Sequence, residues 1–425
     1  MDMEALFLAY SRRLEEIDCK YQRYLYSQIE WNERLIGIKG ARGVGKTTML
    51  LQHIKLTFPD WSKAFYVSLD HIWFSTHTLL ELTEYLYTHG VTHIFLDEVH
   101  RYTNWIKEIK NIYDSYPSLH IVFTGSSLLE LNGAEADLSR RLRTYHLEGL
   151  SFREYLAING IATFEPLSLN DILTRHQQIA TEIAGKLKVL PHFERYIQQG
   201  YYPFFLETSS TVSYYERIQS IVTTIIENDI PAVESIEFET LQKAKRLLVL
   251  LAQMKPFTPN ISSLCTALDT TRNQLIRLLA LLHRAALLRL LYADRKDLKS
   301  LGKPEKILFN NPNIMQALVQ PADTGTVRES LFAAMLAQGH SIQYPKQGDL
   351  SVEGKFIFEL KEQRVESRRM SNYPESRQKS TECQIGGKGK GFSQIKDIPD
   401  SYVIADEIEI GYGNKIPLWM FGLLY

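Results

Sequence analysis

Gly40-Ala41-Arg42-Gly43-Val44-Gly45-Lys46-Thr47, followed by Thr48, is a stretch whose residue types and spacing suit phosphate chemistry. It fits G-x-x-x-x-G-K-[ST], in which glycines let backbone N–H groups close around phosphate oxygens. In that pattern Lys46 reaches the β- and γ-phosphates of ATP, and the Thr47 hydroxyl ligates Mg²⁺. The helix N-terminus that follows adds a partial positive charge. About fifty residues on, His93-Ile94-Phe95-Leu96 leads into Asp97-Glu98. Asp97 can hold the Mg²⁺ shell, and Glu98 can orient or activate the attacking water. A third apolar run, His120–Thr124, ends in Gly125-Ser126-Ser127. A polar residue there can sense the γ-phosphate, with Ser126 the first choice and Thr124 the second. The competing use of these serines is to cap the next helix. Arg140, Arg141 and Arg143 precede what reads as an apolar exit strand. They either stabilise transition-state charge, in their own or a neighbouring subunit, or form a solvated basic turn.

These groups need a scaffold, and the flanking pattern supplies one. Leu35–Ile38 and Ala64–Leu69 read as strands, and Leu79–Tyr87 and Trp105–Tyr113 as helices. An apolar stripe of Met49, Leu50, Ile54 and Leu56 places a helix directly after the loop. Strands alternating with helices predict an α/β domain over 1–150, with a mainly parallel sheet covered on both faces. Upstream, Leu6, Tyr10, Leu14, Ile17, Tyr21, Leu25 and Ile29 predict a single amphipathic helix over 4–29.

From 151 to 238 the alternation stops, and helices over 152–156, 171–183, 193–198 and 214–228 suggest a helical lid or linker. Residues 239–310 read as helices over 241–254, 261–268 and 272–283, with 287–292 and 306–309 able to pair as a hairpin. That is the layout of a winged helix. Between 241 and 300 there are eleven Lys/Arg against three Asp/Glu. Thr271, Arg272, Asn273 and Gln274 open the recognition helix and suit groove and phosphate contacts. The alternative is a winged helix used as a packing module.

Residues 311–425 hold a second constellation. Glu329 lies on a helix near 327–337, and Asp349 stands ten residues before Glu359-x-Lys361 on an apolar strand. This is the spacing of a PD-(D/E)xK nuclease, in which carboxylates hold Mg²⁺ and the lysine positions water or phosphate. Residues 361–381 are polar and aperiodic, as in a loop or insertion. The glycines and lysines of 383–392 suit a second anion site or a flexible turn.

The totals set bounds. A chain of 425 residues implies two to four domains. With 44% hydrophobic and 23% charged residues and a net charge of −1, any nucleic-acid surface must be local. The early acids of Met1-Asp2-Met3-Glu4 do not make a secretory signal, and no apolar run approaches the ~18 residues of a membrane span. Three scattered cysteines, Cys19, Cys265 and Cys383, read as reduced thiols of a cytoplasmic protein.

With LDEVHRYTNWIKEIKNIYDSYP, IVFTGSS and LSFREYL following GARGVGKTT, nearly the whole chain resembles the prokaryotic AAA-type ATPases with a C-terminal domain of unknown function. The resemblance implies Lys46 and Thr47 on nucleotide and Mg²⁺, Asp97 on Mg²⁺, and Glu98 as base. It also aligns Arg141 with the family's arginine, although Arg140 stands where relatives have Gly. It implies a restriction-endonuclease-like C-terminal fold as well. There, Phe358-Glu359 and Gly386-Gly387-Lys388 are two halves of a string that relatives keep continuous. Three functions follow as expectations: an ATPase driving or gating a module on nucleic acid, a nucleotide switch holding a protein partner, or an ATP-regulated DNA nuclease. Assembly into a homo-oligomer is compatible with each, and none needs a membrane.

Overall fold

The computed structural model describes residues 3–128, 138, 140–254, 260–293, 303–361, 395 and 398–425. Five strands, β1 (Leu35–Lys39), β2 (Ala64–Ser68), β3 (His93–Asp97), β4 (His120–Gly125) and β5 (Arg143–His146), form a parallel sheet in the order β2-β3-β4-β1-β5. β1 is buried along its whole length, as a strand covered on both faces must be. β5 is instead polar, which corrects the expected apolar exit strand. It lies at the sheet edge, where Arg143 pairs with Glu33 at 3.3 Å and a charged side chain blunts further pairing.

α1 (Met3–Glu16) buries Leu6, Tyr10 and Leu14 but stops well before residue 29. The reason lies in α2 (Lys46–Thr57), the helix after the phosphate loop. Its Lys55 Nζ donates to the carbonyls of Glu15 and Ile17, and its Gln52 Nε2 to those of Asp18 and Tyr21. These side chains satisfy the carbonyls that a continuing helix would have used. The chain then buries Leu25 and Ile29 from a single 3₁₀ turn, Tyr24–Gln28, and the residue after it. α3 (Leu79–Thr88) and α4 (Trp105–Ser115) pack on each other and join the same core through Leu79, Leu82, Leu86, Trp105, Ile109 and Ile112.

The helices of 151–238 are α5 (Phe152–Ile158), α6 (Leu169–Ala184), α7 (Val189–Gln199) and α8 (Thr211–Thr224). They do not share a core. α5 to α7 pack with the C-terminal sheet, while α8 with Tyr201, Tyr202 and Phe204 joins the core of the parallel sheet. The stretch read as one lid is thus divided between two hydrophobic cores.

α9 (Phe238–Gln253), α10 (Ile261–Leu268) and α11 (Arg272–Arg284) are followed by the antiparallel pair β6 (Leu288–Leu291) and β7 (Lys306–Phe309), in the order expected. After α12 (Pro312–Leu318) and α13 (Thr324–Leu336) come β8 (Ile342–Gln343), β9 (Leu350–Val352), β10 (Phe356–Lys361), β11 (Ser401–Ala405) and β12 (Lys415–Pro417). They form a mixed sheet, β12-β11-β10-β9-β8, antiparallel from β8 to β10 and parallel beyond. Residues 362–394, with the glycine–lysine segment 383–392, lie outside the described residues. Among the described residues, no helix is long and apolar enough to cross a membrane.

One buried acid ties the sheet domain to the hairpin. Burial pushes the Glu148 carboxyl pKa up, but His146, Arg289 and the Tyr201 hydroxyl outweigh it and hold it at about 2. A depressed carboxyl pKa contributes stability above the usual value of 4.5, and this is lost as pH falls toward 2. Glu148→Gln is therefore expected to flatten the acid limb of Tm against pH in that window, measured by thermal unfolding.

Candidate functional site

The phosphate loop leaves β1 and enters α2. Gly43 and Gly45 sit at φ 84° and 97°, in the left-handed region that favours glycine. A Cβ on Gly43 would lie 3.1 Å from both Phe204 and Ile221, so the helical region is packed against the loop. Lys46 is buried, and its Nζ donates to the carbonyls of Gly40 and Ala41, each at 2.9 Å. Burial pushes the Lys46 ammonium pKa down, against the opposing pull of Glu98 and Asp97. Ala41 and Val44 are buried and anchor the loop, while Thr48 is exposed. Arg42 extends from it to place Nη1 3.4 Å from both carboxylate oxygens of Asp229.

Asp97 ends β3 directly below the loop. Its Oδ2 accepts from the Thr47 hydroxyl at 2.6 Å and from Tyr66 Oη at 2.8 Å. Its Oδ1 accepts from the Thr124 hydroxyl and from the Glu98 N–H. Glu98 follows at φ 52°, a left-handed conformation costly for a residue with a Cβ, of order 1–3 kcal/mol. Its side chain is 21% exposed, with Oε2 3.4 Å from His100 Nε2. Thr124 Oγ1 also lies 3.4 Å from the Glu98 N–H. Between the two sensing choices, the second touches the acidic pair. The Ser126 hydroxyl accepts from the Leu128 N–H at 3.3 Å, which is the turn-capping use.

The structure adds residues that the sequence reading missed. Arg101 donates to Asp229 Oδ1 at 2.5 Å, and His100 sits between Glu98 and Asp229. Asp229 lies 128 residues from Arg101 on a helical stretch with nothing local to mark it.

Arg141 is at the wrong end of the sheet to serve its own subunit. Arg143 is in register with Ile36 near the start of β1, whereas the phosphate loop follows Lys39 at its end. The three strand steps from Ile36 to Lys39 alone span roughly 10 Å, and Arg141 lies two residues further back. Arg141 pairs instead with Asp114 at 3.1 Å, which corrects the own-subunit reading.

The second constellation comes together differently from the expectation. Phe358 is in register with Leu350, so Asp349 and Glu359 are cross-strand neighbours. The cation beside the carboxylates is Lys306 of β7, with Nζ 2.9 Å from Glu329 and 3.6 Å from Asp349. Among the described residues, no three His, Cys, Asp or Glu side chains are placed to hold a metal ion. Where the sequence pattern has Lys361 beside a pair of Mg²⁺-holding carboxylates, the ammonium seen against Glu329 and Asp349 is that of Lys306. The Lys361 side chain lies outside the described residues. Burial pushes the Glu329 carboxyl pKa up, as does Asp349, while Lys306 opposes both. For a raised carboxyl, the stabilising contribution is present below 4.5 and is lost as pH rises through the folded-state value. Glu329→Gln should remove that loss, so its Tm should fall less than wild type's as pH rises above 4.5.

Residues 32–156 match the family model described as an AAA domain, and residues 190–324 match a domain of unknown function. An uncharacterized protein of Methanocaldococcus jannaschii is 29% identical over 342 residues, covering 74% of this chain and 72% of that protein. Among solved structures, the Aeropyrum pernix Orc1 protein in complex with DNA is 12% identical with a TM-score of 0.33, covering 74% of this chain and 92% of that one. AMPPCP-bound DnaA from Aquifex aeolicus is 14% identical with a TM-score of 0.26, covering 66% and 88%.

Proposed function

We propose, from the AAA-domain match and the site geometry, that this chain hydrolyses ATP with Mg²⁺ and uses the cycle to gate its C-terminal units. The observation that carries the reading is the Thr47–Asp97 contact beneath the loop, with Glu98 one residue on. The donor set fits the nucleotide: glycine backbone, a buried ammonium, and a hydroxyl–carboxylate pair of the kind that binds Mg²⁺. Held by Thr47 and Asp97, Mg²⁺ supplies charge neutralisation on the phosphates. Lys46 binds the β- and γ-phosphates, Thr124 is aligned on the same acids, and Glu98 orients the attacking water and accepts its proton. Arg141, remote from its own loop, fits a role at a neighbouring subunit in a homo-oligomer. Gating is supported by Phe204 and Ile221 against Gly43 and by Asp229 against Arg42, which link loop and helical region.

Removing a charge-assisted contact to phosphate costs about 1.5–3 kcal/mol. Lys46→Ala is therefore expected to weaken Mg·ATP binding by at least about tenfold in a calorimetric titration. Unchanged binding and turnover would overturn the reading.

Nucleic acid is the proposed target of the 239–310 unit, through Arg272 and Asn273, both exposed at the start of α11. A protein-holding switch is favoured by a different observation. Lys243 pairs with Glu239, Lys245 with Glu227 and Arg277 with Glu234, so several bases of this unit are already engaged. ATP turnover with DNA, with RNA and with neither separates the two. Stimulation that weakens as salt rises supports nucleic acid, and its absence supports the switch.

A further inference from the structure

We infer that His100 and Asp229 are positioning residues for Glu98, and that Asp229 links the catalytic strand to the helical region. This rests on the ATPase reading above and adds to it two residues that the phosphate-loop and acidic motifs do not contain.

His100 lies two residues beyond Glu98 in a 3₁₀ turn, and its side chain is 1% exposed. Its Nδ1 faces the Ser126 N–H at 3.4 Å and so acts as the acceptor, which places the ring proton on Nε2. Nε2 is 3.4 Å from Glu98 Oε2 and 3.7 Å from Asp229 Oδ1, and it makes a well-directed hydrogen bond to neither. Among the described residues, this buried nitrogen has no hydrogen-bond partner. A buried N–H without a partner is costly unless some state of the site supplies one. Catalytic hydrogen bonds that are long without substrate commonly tighten in the substrate complex. Glu98 is the carboxylate that such tightening would fix.

Asp229 provides the other side of this arrangement. It is 1% exposed and is held by Arg101 at 2.5 Å and Arg42 at 3.4 Å. Burial pushes its carboxyl pKa up, but His100, Arg101 and Arg42 outweigh burial and keep it below the usual range. Asp229 closes a π-helical turn, Ile225–Asp229, inserted directly after α8. Such a turn re-aims a side chain out of the regular helix and is frequent at functional sites. Two arginines already neutralise Asp229, so a purely structural pair would not require the imidazole. With Arg42 on the phosphate loop and His100 beside Glu98, one carboxylate from the helical region touches both halves of the site.

The test is steady-state ATP turnover and nucleotide binding with the full chain. His100→Ala should lower kcat about tenfold, since slight misplacement of a catalytic group has effects of this size or larger. KM and ATP affinity should stay within about threefold, because Lys46 and the loop are untouched. His100→Gln, whose amide N–H reaches a similar place, should recover most of the loss. Asp229→Asn should also lower kcat more than it alters KM. Adding His100→Ala to Glu98→Gln should cost nothing further, because both act through one group. An unchanged kcat in His100→Ala, a loss that Gln fails to rescue, or additivity with Glu98→Gln overturns the inference. Wild-type chain without turnover would instead overturn the ATPase reading on which it rests.

Discussion

Glu98→Gln is expected to keep Mg·ATP binding within about threefold of wild type while turnover falls at least about a hundredfold, the usual contribution of a positioned general base. The amide matches the carboxylate in size, so the packing around it survives. The fold does not depend on its charge either. The Glu98 N–H, not its side chain, holds Asp97 Oδ1 and faces Thr124, and the side chain is one-fifth exposed. The loss should therefore fall on kcat, which is the mark of an interaction made in the transition state. Single-turnover hydrolysis with calorimetric ATP binding separates the outcomes. Loss of binding with retained hydrolysis per bound nucleotide would remove Glu98 from the role of base and make it a ligand of the Mg²⁺ shell.

The parts of the site that were legible from sequence are those whose partners are close along the chain or whose geometry a motif dictates. The loop from Gly40 to Thr47 writes its own backbone path, and Asp97-Glu98 follows from a strand ending at the loop's height. Spacing puts Ser126 ahead of Thr124, whereas it is the Thr124 hydroxyl that reaches Asp97. Their order depends on the side-chain alternation of β4 beneath Asp97, which pairing fixes and sequence spacing alone does not. The end of α1 was hidden for a related reason. Its apolar spacing continues to Ile29, but Gln52 and Lys55 of a later helix compete for the carbonyls that would extend it. Asp229 and Lys306 were invisible because their meaning is wholly tertiary. Each is one charged residue among many until folding brings it to Arg101 and His100, or to Glu329 and Asp349. The carboxylates of the C-terminal sheet were readable as a group. That an ammonium from the preceding hairpin faces them was not.

Arg23→Met should destabilise the chain by about 3–5 kcal/mol, the cost of breaking a buried pair and leaving one charge uncompensated. Arg23 lies in the extended segment that follows α1 and is 7% exposed. Its guanidinium donates to both oxygens of the fully buried Glu154, at 2.9 and 3.1 Å. It also donates to the carbonyls of Glu148 at 2.8 Å, Gly149 at 2.9 Å and Val44 in the phosphate loop. Burial alone would lower the Arg23 pKa, but Glu154 raises it above its ordinary value. Glu154 has other donors, the N–H groups of Tyr24 at 2.8 Å and Ser151 at 3.1 Å, and among the described residues Arg23 is the cation it pairs with. Methionine fills much of the volume and supplies no donor, so the loss measures the polar network rather than a cavity. Chemical denaturation is the direct readout, with the midpoint shifting and the slope unchanged. Adding Glu154→Gln should restore part of the stability by removing the stranded charge, a coupling that a double-mutant cycle isolates. Because Val44 loses its anchor in the same substitution, ATP affinity should fall even where the protein is fully folded. Stability lost with affinity intact would show that Arg23 supports the core without shaping the loop.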